Sequence, residues 1–574
     1  GVAGWRRCGR GLKALLAFSG WRRMEVLVHG AFIFNRYPLS SSSMKPLYFP
    51  SNSSMILTIL SAISLSLPLV FGEDTKASPD QDKSNDFWNS VYEDNYVVEI
   101  DISLTKEAWE SMQPTQTERG RGGPPRGGVL PDGPPRGRSG RPDGPLSGGG
   151  PSDRRGPGGP PPGGGGGRGG AGTSFEYVKA NITIDGEQFK DAGLRFKGNS
   201  SYRFSSDGLK RPLKIDTNRF VTEQKLHGRT KFNLSNSYLD PAFMKEKLAY
   251  EVYQAAGIPT PGTGWAKVSL SIEGEQEKKT LGIYVLIEQV DENYLERKFG
   301  EKSKDSLLMK PESSPNWQHP GDETEQYKEV FNIKEGEDNK EQITQFGDFL
   351  SLIGEVSDTE FCKQVGEKMD LDFYAGYLAA TSLLASLDSY IGAPHNYYLM
   401  VDQADNKVRL FPWDVNEAFG TFTMGTTPEK LAEWDITRPW TSNIPLLERL
   451  FTNKDFSKLY QEKLNELMKG PFTEKHLYER VDIFTKALKP YLSKKEQIAF
   501  RMGIEGDSSG KNSAVERDIF AIKPFIKRRI RSVKAQLAGK SKGVKIEGRS
   551  GRSGRGGRPP RRQAPREESR PPKD

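Results

Sequence analysis

Three polar side chains in the stretch ASLDSYIGAPHNYYLMVDQADNKVRLFPWDVNEAFG (385–420) have the types and the order of a phosphoryl-transfer site. Asp388 follows the nearly all-apolar run FYAGYLAATSLLASL. Read as the end of a helix, it sets a negative charge against the negative end of the helix dipole, a placement that suggests a task. Asn396 comes eight residues later at the mouth of an expected hairpin, and Asp414 stands where the second strand ends, flanked by Trp413, Val415 and Phe419. A carboxylate in such apolar company is unfavourable unless it is paired or binds a cation. In phosphoryl transfer one acid orients the acceptor hydroxyl, while an Asn and a second Asp hold Mg2+ against the phosphates of ATP. Asp388 is therefore the candidate catalytic acid, and Asn396 and Asp414 are the candidate metal ligands. The plainer alternatives are a helix-terminal surface acid for Asp388 and a structural acid satisfied by backbone amides for Asp414.

Such a site also needs a cation on the phosphates and an acid to position that cation. Lys214, in the strand PLKID (212–216), alternates with Leu213 and Ile215 and is the candidate phosphate lysine. Glu246, on a helix expected over 240–256, is its candidate partner, with Glu251 as the alternative. Glu288 and Gln289, with Val290 after them, close a strongly apolar strand and have the position of a hinge whose backbone would contact adenine; an ordinary buried strand ending in a polar turn explains them equally well. RFKGNSSYRF (195–204) combines glycine, hydroxyls and cations and could cover phosphates, although a tight turn accounts for it too.

The elements that must hold these residues divide in character. Val98, Ile100, Ile102 and Leu104 alternate with polar residues, as do Val178, Ala180, Ile182 and Ile184, which marks two strands. Asp185-Gly186 marks a turn, and further strands are expected at 193–198, 212–216, 231–236, 265–272 and 282–290, making an antiparallel sheet the natural arrangement. Asp240-Pro241 is expected to open the helix and Gly257-Ile258-Pro259 to stop it. Beyond residue 300 the pattern turns helical, over 340–354, 359–368, 371–388, 444–451, 454–468, 473–489 and 515–538, interrupted by one hairpin of strands 396–402 and 407–413. Strands first and helices later predict an α+β chain in two lobes.

Composition limits the alternatives. The formal charge of +8 is unevenly spread: residues 1–55, 119–172 and 541–574 together carry +20, so the remainder is −12. An acidic body with basic extensions argues against a specific nucleic-acid surface on the fold; the basic tails could instead attract acidic polymers through screened charge. Residues 119–172 are dominated by Gly, Pro and Arg and are expected to be a disordered insertion, and 541–574 a disordered basic tail. Residues 1–43 precede Met44 and are set apart as a non-native leader. Met44 to Gly72, with Lys45 before the apolar run MILTILSAISLSLPLVF, has the pattern of a signal peptide cleaved near Gly72, with an N-terminal membrane anchor as the alternative. Export to the cell surface follows from that pattern. Only Cys8 and Cys362 occur, so an internal disulfide in the mature chain and a zinc-type site are not expected.

The segments GLRFKGNSS (193–201), KRPLKID (210–216), FNLSN (232–236), DPAFMKEKLAYEVYQAAGIPTP (240–261), GIYVLIEQVDENYL (282–295) and FPWDVNEAFG (411–420) keep one order within roughly residues 90–538 and resemble the CotH kinase family. The resemblance implies a two-lobed, atypical protein-kinase-like fold within 85–538, with a strand-rich N-lobe to about residue 300 and a helix-rich C-lobe after it. It further implies transfer of phosphate from ATP, with Mg2+, to Ser or Thr of a protein at the cell surface or coat, with Asp388 as catalytic acid and Asp414 as metal ligand. The sequence departs from the family at Asn416, where a second acid often stands, and in the Gly/Pro/Arg insertion. A surface structural or adhesin-type protein that keeps the fold without turnover is the second reading. A glycosidase pair of carboxylates is disfavoured by the accompanying Asn and by the lack of an evident sugar-stacking cleft.

Overall fold

The computed structural model describes residues 79–114, 175–311, 317–441, 443–506 and 521–546. The expected leader, the signal segment, the Gly/Pro/Arg insertion and the chain beyond residue 546 lie outside the described residues. Among those described, no helix is long and apolar enough to cross a membrane.

Seven strands form a closed barrel: β1 (Val97–Leu104), β2 (Val178–Ile184), β3 (Glu187–Phe196), β4 (Leu213–Asp216), β5 (Lys231–Ser235), β6 (Thr263–Ile272) and β7 (Gln276–Glu288), in the order β1-β2-β3-β4-β5-β7-β6. The alternation read from the sequence sets their faces. Ile100, Ile102, Ile182, Leu194, Phe196, Ile215, Leu234 and Val268 fill the interior, where each strand contributes every second residue. Asp185 and Gly186 both have positive φ, of 48° and 88°, as the tight β2–β3 turn requires. The expected antiparallel sheet is corrected at one seam: β1 pairs with β6 in parallel, from Val97↔Trp265 to Leu104↔Ile272, and this closes the barrel. A closed barrel is not the N-terminal lobe of an ordinary protein kinase.

The outer face of β6 and β7 is apolar as well. Trp265, Ile283, Val285 and Ile287 join the helix Lys245–Ala255 in a second, larger core that continues into the C-terminal helices. That helix starts later than the sequence suggests. Its N-cap residue is Met244 and not Asp240; Asp240 accepts from the amides of Met244 and Lys245 at 2.8 Å each, while Phe243 is left-handed (φ 55°) and the chain turns before the helix begins. A second sheet of order β11-β10-β8-β9 contains the expected hairpin, β10 (Tyr397–Val401) and β11 (Val408–Pro412), and two three-residue strands that the sequence did not reveal, β8 (Leu307–Met309) and β9 (Ile333–Glu335). The architecture is thus mixed helix and strand.

The helix Leu371–Leu384 runs through the larger core. A Cβ on Gly376 would stand 2.6 Å from the Ala256 carbonyl oxygen, so glycine permits the close approach of this helix to the end of Lys245–Ala255. The helix stops at a left-handed Ala385 (φ 48°), so Asp388 is not at its end, as expected, but in the loop beyond. Arg529, fully buried in the helix Ile522–Leu537, fixes that stop: it donates to the carbonyls of Ser382 (2.8 Å), Leu383 (3.3 Å) and Trp434 (2.7 Å). Arg529→Met removes these three donations, although Ser382 keeps the bond from the Ala385 amide (3.0 Å) and Trp434 that from Gln536 (3.1 Å), and is expected to lower stability by about 1–3 kcal/mol, measurable by urea unfolding of the full chain. The basic tail also begins later than residue 541, because Val544 bridges Trp434 and Ile546 is buried.

Candidate active site

The loop after the helix Leu371–Leu384 and the open end of the β10–β11 hairpin bring Asp388, Asn396 and Asp414 together. Asn396 Nδ2 donates to Asp388 Oδ2 at 2.8 Å, and the Trp413 amide donates to the Asn396 carbonyl at 3.1 Å, which sets Asn396 opposite Trp413 at the hairpin mouth, one residue before Asp414. Asp388 Oδ1 lies 2.6 Å from His395 Nε2. Burial disfavours the charged imidazole, but the Asp388 carboxylate, with help from Asp414, outweighs it and raises the His395 pKa above its ordinary value. Ala385, Asn396, Asp414 and Phe419 all have left-handed backbones, with φ between 48° and 59°. Asn and Asp tolerate this conformation; for Ala and Phe it stores of order 1 kcal/mol or more each. Such strain persists only where the surroundings over-determine the backbone, here through bonds such as Phe419 N to Leu384 O (3.0 Å).

The opposite wall comes from the barrel and from the helix Lys245–Ala255. Lys197 directly follows β3, and the chain then reverses at Gly198 (φ 74°), where a Cβ would meet Ser201 Oγ at 2.4 Å. Lys197 stands over the Trp413 ring, 5.6 Å from its centre. Burial pushes its pKa down, while Asp414 and Glu246 oppose this. Glu246 is 2% exposed, with the Tyr250 hydroxyl beside it. Burial, then the charge of Asp414, holds its pKa well above the carboxylate range, with Lys197 opposing. The Asp414 amide donates to Tyr250 Oη (3.1 Å), which ties the same helix to the hairpin. Glu246 therefore belongs with Lys197 and not, as the sequence suggested, with Lys214. Its alternative, Glu251, points away and is held by Arg480 at 2.7 Å.

Lys214 instead donates to Gln289 Oε1 at 2.9 Å, an oxygen that also accepts from Asn233 Nδ2 at 3.1 Å. The side chain of Glu288 is committed elsewhere, in a buried ion pair with Arg229 (2.8 Å) and Arg297 (2.5 Å) and a bond from the Gly262 amide (2.7 Å). The Glu288 backbone is engaged as well, pairing with Phe232 on β5 and donating its amide to the Gly262 carbonyl at 2.9 Å, so the hinge role read from the sequence falls to the backbone of Gln289.

Three residues escaped sequence reasoning. Lys197 lay within a segment noted for its cations but was not singled out. His395 adjoins Asn396 and its charge is set by Asp388. Glu417 follows Asp414 by three; burial, then Asp388 and Asp414, raise its pKa to about 8 against the opposing His395, and Tyr238 donates to it at 3.5 Å. A titratable residue beside each acid is the signal that was available.

Among the described residues, no group of three or more His, Cys, Asp or Glu side chains is arranged to hold a metal alone. The donor set fits Mg2+ bound jointly with phosphates, which takes only one or two protein oxygens. Asp414 Oδ1 accepts from Asn416 Nδ2 (2.9 Å), whereas Asp414 Oδ2 and Asn396 Oδ1 accept no hydrogen bond among the described residues.

The site thus gathers the half-buried Lys197, the buried Glu246 and the polar group Asp388, Asn396 and Asp414. The chain belongs to the CotH family: that family's model, described as CotH kinase protein, matches residues 194–533. The Inner spore coat protein H of Bacillus subtilis (strain 168) is 23% identical over 277 residues, which cover 48% of this chain and 72% of that protein. The crystal structure of a Helicobacter pylori proinflammatory kinase, CtkA, aligns over 56% of this chain and 95% of its own at 13% identity, with a TM-score of 0.18.

Proposed function

We propose that this chain is a Mg2+- and ATP-dependent kinase that phosphorylates Ser or Thr of proteins at a coat or cell surface, in a two-lobed kinase-like arrangement with the barrel as N-lobe (about 90–300) and the helical part as C-lobe (about 301–538). The observation that carries this reading is the convergence of Lys197, Glu246 and Asp414, each within range of the others' charge, with Asn396 bonded to Asp388 in the same site. Lys197 binds the phosphates, and Glu246 holds Lys197 in position. Asp388 orients the acceptor hydroxyl and takes its proton as the hydroxyl oxygen bonds to the γ-phosphorus and the bond to the β-phosphate oxygen breaks. His395 neutralises Asp388 at rest and must release Oδ1 for an acceptor to bind there. Asp414 and Asn396 would hold Mg2+, which when bound neutralises phosphate charge. The backbone of Gln289 remains the candidate adenine contact. Membership of the CotH family and the name of the Bacillus relative support a coat or surface role, and export rests on the signal pattern at 44–72.

One observation favours the second reading, an adhesin-type surface protein without turnover: Asn416 occupies an oxygen of Asp414. Thermal shift of the full chain with ATP and Mg2+ separates the two. A rise in Tm that needs both ligands is expected for the kinase; no rise favours the adhesin. Asn416→Asp adds a carboxylate beside the cation and is expected to lower the Mg2+ concentration giving half the ATP-dependent shift several-fold.

A further inference from the structure

The outer wall of the barrel carries positive charge that the catalytic cluster leaves unexplained. β3, β4 and β5 set Arg195, Lys214 and Asn233 side by side in one register row. Lys197 stands two residues beyond Arg195, and Lys231 two before Asn233, so all of them share one face. The alternate residues Leu194, Phe196, Leu213, Ile215, Phe232 and Leu234 lie in the barrel interior. Among the described residues, none of Arg195, Lys197, Lys214 and Lys231 makes an ion pair within 4.0 Å.

The surroundings of Lys214 are on every side polar or positive. Arg195 and Lys197 face it from β3 and Lys231 from β5, Asp216 is its acidic neighbour on β4, and Gln289 after β7 accepts its hydrogen bond. Burial first, then Arg195, Lys197 and Lys231, hold its pKa down to about 7, with Asp216 opposing. Near neutral pH a share of the molecules thus carries Lys214 as an amine, its nitrogen turned to Gln289.

We propose that Lys214 is a second anion-binding residue of the cleft, and that a polyphosphate docks on Lys197, Arg195 and Lys214 together with one proton drawn from solvent. This rests on the nucleotide reading above. An ammonium has three donors, so one can stay on Gln289 while the others turn to the ligand. The anion's charge restores the pKa towards the ordinary lysine range. Proton uptake is therefore present between about pH 7 and that range, and absent well below pH 7, where the free protein already holds the proton. Over that upper window affinity falls with rising pH, by at most about tenfold per unit.

Calorimetric titration of the full chain with ATP and Mg2+, in two buffers of different ionisation enthalpy, counts the protons. Glu246 and Lys197 titrate in the same cleft, so the readout is the difference from variants. At pH 8, where the nucleotide phosphates are fully ionised, the wild type is expected to take up more protons than Lys214→Arg or Lys214→Met, by up to about one, and the difference is expected to vanish at pH 6. Lys214→Arg should keep its affinity and Lys214→Met should lose about tenfold at pH 6. Equal proton counts in wild type and both variants at pH 8 overturn the proposal while leaving the nucleotide reading intact. If ATP does not bind the wild type, the nucleotide reading fails and inorganic tripolyphosphate decides the proposal: binding with the same proton difference upholds it, and no binding overturns it.

Discussion

Asp388→Ala is expected to lower the rate of phosphate transfer from ATP by about a thousandfold, the typical contribution of a positioned proton acceptor, with little change in the Tm shift produced by ATP and Mg2+. Its side-chain contacts are to two other polar groups of the site, His395 and Asn396. The pH profile adds a second readout. The raised pKa of His395 means that its ion pair with Asp388 is complete below the ordinary imidazole value near 6.5 and is lost as pH rises through the higher folded value. Stability drawn from the pair falls over that window, while Asp388 becomes free to accept a proton, so the rate should rise. His395→Gln is expected to remove that rise. Undiminished transfer by Asp388→Ala would remove Asp388 from the chemistry.

Lys197→Met is expected to lower kcat/KM for ATP by about a hundredfold to a thousandfold, the range for losing one preorganised charge-stabilising group. Glu246→Gln is expected to lose less, because Glu246 acts through Lys197. The two changes should be strongly non-additive in a double-mutant cycle. The fold should survive Lys197→Met, since burial and Asp414 already favour a protonated, uncharged Glu246. Transfer assays with Tm measured alongside check both points; a loss of activity matched by a collapse of Tm would mean that the lysine is structural.

The contrast between Lys197 and Lys214 shows how far the sequence could be read. Both are lysines beside apolar residues in strand-like segments, and both lie on the same face of the barrel. Only the pairing of β3 with β4, and the reversal at Gly198, decides which of them comes within range of the Glu246 charge. Asp388, Asn396 and Asp414 were legible because they crowd into 27 residues around one local hairpin. The strands β1 and β2 were legible from their alternation. The closure of the barrel was not: β1 and β6 are about 160 residues apart in sequence, and a parallel pairing has no local turn to announce it. β8 and β9, at three residues each, are too short to show a period. The end of the helix Leu371–Leu384 was misread because Ala385, a strong helix former, is forced left-handed by tertiary contacts around Arg529 and Phe419.

The proposed kinase binds the nucleotide and its metal in one place, between the barrel wall at Lys197 and the hairpin mouth at Asp414. A crystal structure of the full chain with Mn2+ and a non-hydrolysable ATP analogue tests it most directly. The expected result is an anomalous manganese peak between Asp414 and Asn396, with the phosphates against Lys197 and the γ-phosphate turned towards Asp388. A nucleotide bound elsewhere on the molecule, or a manganese peak away from Asp414, would contradict it.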